Sequence, residues 1–418
     1  MGILGTCKEC NQEYISYEWC KACNVNHFRQ NFKNWTSGND DIDEFIRNAQ
    51  LSAKSHHRIS EWIPYERFYN VKFIASGGFG KIYSANWIDG YIIKWSNKIQ
   101  NWEREGHQMT VALKSLNNSE DVTQEFIREI TLHHKIGDMD AFIVKFYGIT
   151  QDPETKNYMM VLDYADRGSL KNHLDKNYGE LKWNDKLRDL WRIAVGIEKI
   201  HEKGLIHRDL HIGNILSFSS KDACITDMGL CKPANNDELK NAENSIYGVL
   251  PYIAPEVLRG KNYTKPSDIY SFGIIIYEVI SGLPPYHDVS HDKNLAIKIC
   301  QGLRPKFNTN VPQLIVNLIK RCLDADPLNR PIAKEIKEIL WTWRIENNLE
   351  LIKQIKETEK FNSSQQRLST SLRLSFESHS EAIYTSRLLN FGDLPSPKNS
   401  DDYYDNYGNI ISTEFTGN

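Results

Sequence analysis

Apolar residues along this chain change period several times, and each change marks an element. Over residues 41–58 the apolar positions Ile42, Phe45, Ile46 and Ala49 fall at helical spacing, with Asp40 or Asp41 placed to cap the first turn. Residues 62–74 turn strand-like and lead into a glycine-rich turn. A second helix is expected over about 121–136, with Val122, Phe126, Ile127 and Ile130 on one face. Residues 157–164 read as a buried strand, and Gly168-Ser169-Leu170 opens the next helix. The longest mostly apolar stretch, 274–280, which contains Glu278, falls well short of the roughly 18 residues of a membrane span and reads as a buried helix. Beyond residue 343 the pattern weakens. A charged helix to about 359 gives way to a Ser-rich, then acidic and Tyr-containing tail whose composition favours disorder.

Composition narrows this picture. The 418 residues have room for two to three domains, or for one large domain with appendages. A net charge of −3 supplies no general attraction to nucleic acid or to a membrane surface. The first thirty residues lack an apolar core of the secretory type, so cytosol or nucleus is expected. The opening Met1-Gly2-Ile3-Leu4-Gly5-Thr6 matches the N-myristoylation pattern formally and is taken as a coincidental start.

The 8 cysteines do not look like a disulfide framework, because four of them form two Cys-x-x-Cys pairs and the rest are scattered. Cys7, Cys10, Cys20 and Cys23 offer the four thiolates that Zn²⁺ takes in a closed structural site. A module of this size buries too little apolar surface to fold alone, so metal would supply folding energy. His27 reads as an ordinary polar residue, since four sulfurs already complete a tetrahedron. Tyr14, Tyr17, Trp19 and Phe28 would form a small core over the metal. The head carries too few Lys and Arg to favour nucleic acid, and it is expected to dock a protein partner of unknown identity.

Chemistry concentrates between residues 207 and 256. His207-Arg208-Asp209-Leu210 is followed by Asn214, by Asp227-Met228-Gly229 and by Ala254-Pro255-Glu256. Phosphoryl transfer requires three oxygen-bearing side chains at one spot, one for the acceptor hydroxyl and two for magnesium ions on the ATP phosphates. With these spacings the chain resembles the eukaryotic protein kinase superfamily over about 67–342. Cys322-Leu323-Asp324-Ala325-Asp326-Pro327 with Arg330-Pro331 looks most like the tyrosine-kinase-like group, and the cysteine-rich head is similar to that of an expanded fungal family of kinases.

The resemblance implies an α+β, two-lobed kinase fold with a β-rich small lobe and a helical large lobe. A zinc-ribbon-like module would occupy 1–35, a helical linker 36–66, and a helix and disordered tail 343–418. It also implies roles. Asp209 would orient or accept the hydroxyl proton, while Asn214 and Asp227 would bind Mg²⁺. Ala75, Gly77, Gly78, Gly80 and Ile82 would form the phosphate loop and adenine cover, with Phe79 at its tip; alanine replaces the first glycine of the pattern at position 75. Leu162, Asp163 and Ala165 would form the gatekeeper and hinge, Asn172 would reach the ribose, and Leu216 would floor the adenine. Two lysines compete for the phosphates. Lys94 lies closer to the glycine loop, but Lys114, two residues after Ala112, matches the kinase strand and has Glu129 in the helix that follows. Choosing Lys114 makes 86–110 an enlarged connection, expected to project as a hairpin. Glu256 and Arg330 should form a buried pair, and Asp268 should anchor the catalytic loop.

His211 stands where serine/threonine kinases usually carry lysine, and Val249 where they usually carry threonine, which predicts slow turnover. Pro251-Tyr252-Ile253 looks more like a serine/threonine kinase. Arg208 could pair with a phosphate on the activation segment 227–256, where Ser245 and Tyr247 are candidates. The leading expectation is an ATP- and Mg²⁺-dependent kinase acting on protein hydroxyls, mainly Ser/Thr, with structural Zn²⁺ and no nucleic-acid or membrane partner. The alternative is a catalytically weak or inactive nucleotide-binding scaffold acting through head and tail.

Overall fold

The computed structural model describes residues 5–77, 80–116, 123–136, 142–220, 222–233, 246–345, 348–368 and 378–400. They fall into two units, Met1–Asp166 with Thr226–Gly229, and Arg167–Ile225 with Leu230–Asn418.

The first unit runs α1 (Lys21–Asn31), α2 (Asp40–Ser52), β1 (Glu61–Trp62), β2 (Phe68–Gly77), β3 (Gly80–Trp87), β4 (Tyr91–Ser96), β5 (Asn101–Glu105), β6 (Met109–Leu116), α3 (Gln124–Ile136), β7 (Phe146–Gln151) and β8 (Tyr158–Asp163). Six of the strands form one sheet in the order β1-β7-β8-β6-β3-β2. Only β1 and β7 pair in parallel there. Strand alternation decides what β6 presents to each side. Val111 and Leu113 enter a core with Phe68, Trp87, Tyr147 and Val161, which leaves Ala112 and Lys114 on the other face. The helix over 40–52 buries Ile42, Ile46 and Ala49, the expected stripe. Its cap is Asn39, however, whose side chain accepts the Ile42 N–H at 3.1 Å. Asp40 and Asp41 sit inside the first turn, where negative charge meets the positive end of the helix dipole.

The enlarged connection does not project. Strands β4 and β5 pair into a hairpin that folds onto the cysteine module. Trp102 stacks on Phe28 at 4.3 Å between ring centroids and Trp95 on His27 at 3.8 Å. Trp19, Phe28, Ala53, Ile59, Ile92 and Trp102 make one shared cluster. Neither the small head nor a two-stranded hairpin can bury these rings alone, so each covers the other. The core over the cysteines is therefore built jointly, and Tyr17 takes no part in it, being 74% exposed.

The second unit contains α4 (Leu170–Asn177), α5 (Trp183–Glu202), β9 (Leu205–Ile206), β10 (Ile215–Phe218), β11 (Asp222–Ile225), β12 (Lys232–Pro233), β13 (Ile246–Gly248), α6 (Pro255–Leu258), α7 (Lys265–Ser281), α8 (Lys293–Cys300), α9 (Gln313–Cys322), α10 (Ala333–Ile345), α11 (Leu349–Leu368) and β14 (Arg387–Leu389). Its centre is α7, buried nearly all round from Ser267 to Ile280. Thr264 and Ser267 cap its start with Pro266 in the first turn, and Gly282 ends it at φ +71°. A Cβ at Gly282 would lie 2.6 Å from the Tyr178 ring, so both conformation and space require glycine there. Arg330 forks onto Glu256 with two contacts of 2.7 Å, both side chains being buried. Among the described residues no helix is long and apolar enough to cross a membrane.

Residues 378–400 of the tail are fixed in this unit. Strand β14 pairs antiparallel with β13, matching Ile246 to Leu389, Tyr247 to Leu388 and Gly248 to Arg387.

Candidate functional site

In the second unit the loop between β9 and β10 holds Asp209. Its shape comes from Asp268 in the first turn of α7. That carboxylate accepts the His207 and Arg208 N–H groups at 2.8 and 3.0 Å and lies 2.9 Å from His201 Nε2. Arg208 adopts φ +74°, a region unfavourable for a side-chain-bearing residue, and the Asp268 bond holds it there. Asp209 is 5% exposed, which keeps water from competing for its carboxylate. Asn214 donates to the Asp209 carbonyl at 2.9 Å and to its carboxylate at 3.3 Å, setting both side chains in one cluster.

His211 belongs to the same cluster. Its Nδ1 accepts the Gly213 N–H at 3.1 Å, so in the neutral ring the proton sits on Nε2. That nitrogen lies 3.7 Å from the Asp209 carboxylate, which keeps a donor where a lysine was expected. Val249 is 2% exposed and its side chain carries no polar atom. The Ser386 hydroxyl donates toward Asp209, 2.7 and 2.9 Å from its two carboxylate oxygens, and stands 3.3 Å from His211 Nε2. No motif pointed to Ser386, which lies in the Ser-rich tail.

In the first unit Lys114 lies on β6 between Ile82 on β3 and Met160 on β8. Its Nζ sits 2.7 Å from Glu129 on α3 and 3.1 Å from Asp227. Burial opposes the charge on this lysine, but Asp227 and Glu129 hold its pKa above the usual lysine range. Asp227 adopts φ +63° and its carboxylate also accepts the Gly229 N–H at 3.4 Å. A cation anchored between two carboxylates is suited to receive phosphate oxygens without moving. Lys94 is occupied elsewhere, 2.7 Å from Glu18 of the head and 3.7 Å from Glu103.

The remaining nucleotide candidates keep their elements. Ala75 pairs with Ile82 and Gly77 with Gly80 across β2 and β3, which flank the phosphate turn. Ala112 lies on β6, two residues before Lys114. Leu162 and Asp163 end β8, and Leu162 and Ala165 are buried. In the second unit Ser169 caps α4 by accepting the Asn172 N–H at 3.2 Å and bonds the Asn172 side chain, while Leu216 bridges Ser169. Gly78, Phe79, Val122, Ser245 and the first four residues lie outside the described residues.

The four cysteines of the head converge. Their Sγ atoms all lie within 4.8 Å of one another, with Cys10–Cys20 at 3.5 Å and Cys7–Cys23 at 3.7 Å. A tetrahedral ion with bonds of about 2.3 Å to sulfur spaces its ligands by about 3.8 Å, which this set fits. His27 stands apart, its Nε2 being 3.0 Å from Glu9.

About two thirds of this chain is similar in sequence to known proteins. One relative is a probable serine/threonine-protein kinase of Dictyostelium discoideum, 30% identical over 288 residues, which are 66% of this chain and 15% of that protein. The probable serine/threonine-protein kinase CST of Arabidopsis thaliana is 27% identical over 295 residues, 66% of this chain and 67% of its own length. Serine/threonine-protein kinase STY17 of Arabidopsis thaliana is 26% identical over 282 residues, 67% of this chain and 45% of its own. The chain thus spans from a small part to about two thirds of these relatives. The sequence profile described as protein tyrosine and serine/threonine kinase matches residues 69–340, taking in Lys114, Asp209 and Asp227, and the chain therefore belongs to the protein kinase family.

Proposed function

We propose that this protein transfers the γ-phosphate of ATP to hydroxyls of protein substrates, with serine and threonine preferred. The observation that carries the reading is Lys114 Nζ held between Glu129 and Asp227 at 2.7 and 3.1 Å, a charged donor kept ready for phosphate. A nucleotide-binding scaffold would keep this lysine too, but it would have no need of the buried Asp209 carboxylate with Asn214 bonded to it. Similarity to serine/threonine-protein kinases supports the Ser/Thr preference.

The remaining roles are carried over from the family resemblance. Lys114 binds the α- and β-phosphates, and backbone around Ala75, Gly77 and Gly80 approaches the β- and γ-phosphates. By the family resemblance Leu162, Asp163, Ala165, Ile82 and Ala112 serve the adenine, as does Leu216, and Asn172 serves the ribose. Asn214 and Asp227 offer the hard oxygen donors that Mg²⁺ takes, and the ion would neutralise charge on the phosphates. Asp209 orients the acceptor hydroxyl and takes its proton as the oxygen bonds to phosphorus and ADP departs. His211 Nε2–H supplies a hydrogen bond beside the acceptor oxygen. Without a fixed charge there, transfer is slower than in kinases that carry lysine. Incubation with radiolabelled ATP, Mg²⁺ and a mixed Ser/Thr/Tyr peptide library tests the reading. Label that disappears in Asp209→Asn is expected; ATP binding without transfer would refute it.

Cys7, Cys10, Cys20 and Cys23 form a soft sulfur set that fits Zn²⁺ in a structural role, tying residues 1–35 to the β4–β5 hairpin. Metal analysis of the full chain should find about one zinc, falling in Cys10→Ala. We assign the helical linker to 36–66, the kinase domain to 67–342 and the tail to 343–418. The texture around Cys322 and Arg330 favours the tyrosine-kinase-like group, and the cysteine head favours the expanded fungal family. An outside partner of the head would meet its exposed side, which carries Ile15 and Tyr17.

A further inference from the structure

The stretch from Ile383 to Leu389 has features expected of an acceptor peptide. Its last three residues, Arg387–Leu389, add a strand to β13, and strand addition is a common way to bind peptides. Its centre, Ser386, aims its hydroxyl at Asp209, and Tyr247 Oη donates to the Ser386 carbonyl at 3.2 Å. Side chains on both sides are seated in the second unit. Leu389 is 4% exposed while its neighbour Leu388 points out at 65%. Arg387 donates to the His291 carbonyl at 2.6 Å, and Tyr384 donates to the Pro285 carbonyl at 3.0 Å with its ring edge-on to His291.

Anchors also lie beyond the strand. The His379 N–H donates to the His287 carbonyl at 2.8 Å and the Glu381 carbonyl accepts the His291 N–H at 3.1 Å. Downstream, Arg259 donates to the Leu394 carbonyl at 3.2 Å and the Lys398 N–H to the Cys300 carbonyl at 3.0 Å. A segment held at so many points, with one hydroxyl on the catalytic carboxylate, fits a specific register better than chance packing. A purely blocking segment would not need a hydroxyl at that point.

Resting on the kinase reading above, we infer that residues 383–389 are the protein's own intramolecular substrate and that Ser386 is a cis-phosphorylation site. The Ser386 oxygen bonds to the γ-phosphorus of ATP as the bond from that phosphorus to the β–γ bridging oxygen breaks. The hydroxyl proton passes to Asp209, and the products are phosphoserine and ADP. Tethering replaces a bimolecular encounter by an intramolecular one, so the tail excludes other substrates until it has reacted. Phosphoserine then carries a charge of about −2 against the Asp209 carboxylate, and repulsion drives the strand off the site.

The test uses the full chain with Mg·ATP, phosphosite mapping by mass spectrometry, and a Ser/Thr peptide library in the same reaction. Phosphate on Ser386 is expected, with a first-order rate constant unchanged over about 100-fold dilution. A size-tagged Asp209→Asn chain mixed with the wild type should stay unlabelled at Ser386. Ser386→Thr should keep the tail label and Ser386→Ala should lose it. Labelled library peptides with no phosphate on Ser386 would sink the inference and leave the kinase reading intact. No transfer to either would sink both. Labelling of the tagged chain, or a rate constant that rises with concentration, would overturn the cis assignment.

Discussion

Replacing Arg330 by Met isolates the contribution of the ion pair that ties α6 to the start of α10. The Arg330 side chain is 0% exposed and that of Glu256 is 6%, so neither charge has water to fall back on. The guanidinium makes two contacts of 2.7 Å with Glu256 and donates to the Asp324 and Pro266 carbonyls at 2.8 and 3.0 Å. Removing it leaves a buried, unpaired carboxylate, which typically costs about 3–5 kcal/mol. Glu256→Leu in the same chain removes that carboxylate. The double variant then loses mainly the two carbonyl bonds, at about 1 kcal/mol each. Urea unfolding followed by tryptophan fluorescence and far-UV circular dichroism should therefore give a coupling of about 1.5 kcal/mol or more. Arg330→Met costing under about 1 kcal/mol, or a double variant as unstable as the two single costs added, would refute this account.

Glu278 is buried, makes no ion pair among the described residues and accepts a hydrogen bond from Tyr252; burial raises its pKa from 4.5 to about 8. The folded state therefore holds this proton more tightly than the unfolded chain, so stability falls as pH rises from 4.5 to about 8 and is level beyond. Glu278→Gln should raise the melting temperature relative to wild type at pH 8.5 and change it little at pH 5; the reverse order would refute the assignment. Lys114→Met should lower phosphoryl transfer by about 10²–10³-fold, whereas Lys94→Ala, which removes an exposed pair with Glu18, should leave it within about twofold. Equal losses in steady-state assays would reopen the choice of lysine. His211→Lys should raise the transfer rate several-fold, because charged hydrogen bonds are about twice as strong as neutral ones. Chelation of metal from the cysteine cluster should abolish the near-UV dichroism of Trp19, Trp95 and Trp102, since these rings pack as one with the head. An unchanged spectrum after metal loss would separate the cluster from that packing.

Some features were legible because chain-local chemistry sets them. Strand alternation around Val111 and Leu113 and the helical stripe Ile42, Ile46 and Ala49 follow from backbone geometry, whatever the rest of the chain does. The cysteine spacing likewise brings two thiolates to each corner of the head. The cap at Asn39 was missed because Asp40 and Asp41 carry the same acceptor chemistry one and two residues on, and only the backbone at the helix start distinguishes them.

What the sequence alone determined, then, is the identity of the groups: a kinase-type set of oxygen donors, a cysteine tetrad and a family membership carried by motifs. Tertiary structure decided their partners. It gave Lys114 two carboxylates and gave Lys94 to the head, because contacts between residues far apart in the chain depend on how strands and helices pack. It folded the β4–β5 hairpin over the cysteine module, because exposed indole rings seek one another across segments that neither motif nor period connects. It also set Ser386 on Asp209, 177 residues away in sequence, which a polar and weakly patterned tail gave no local reason to expect.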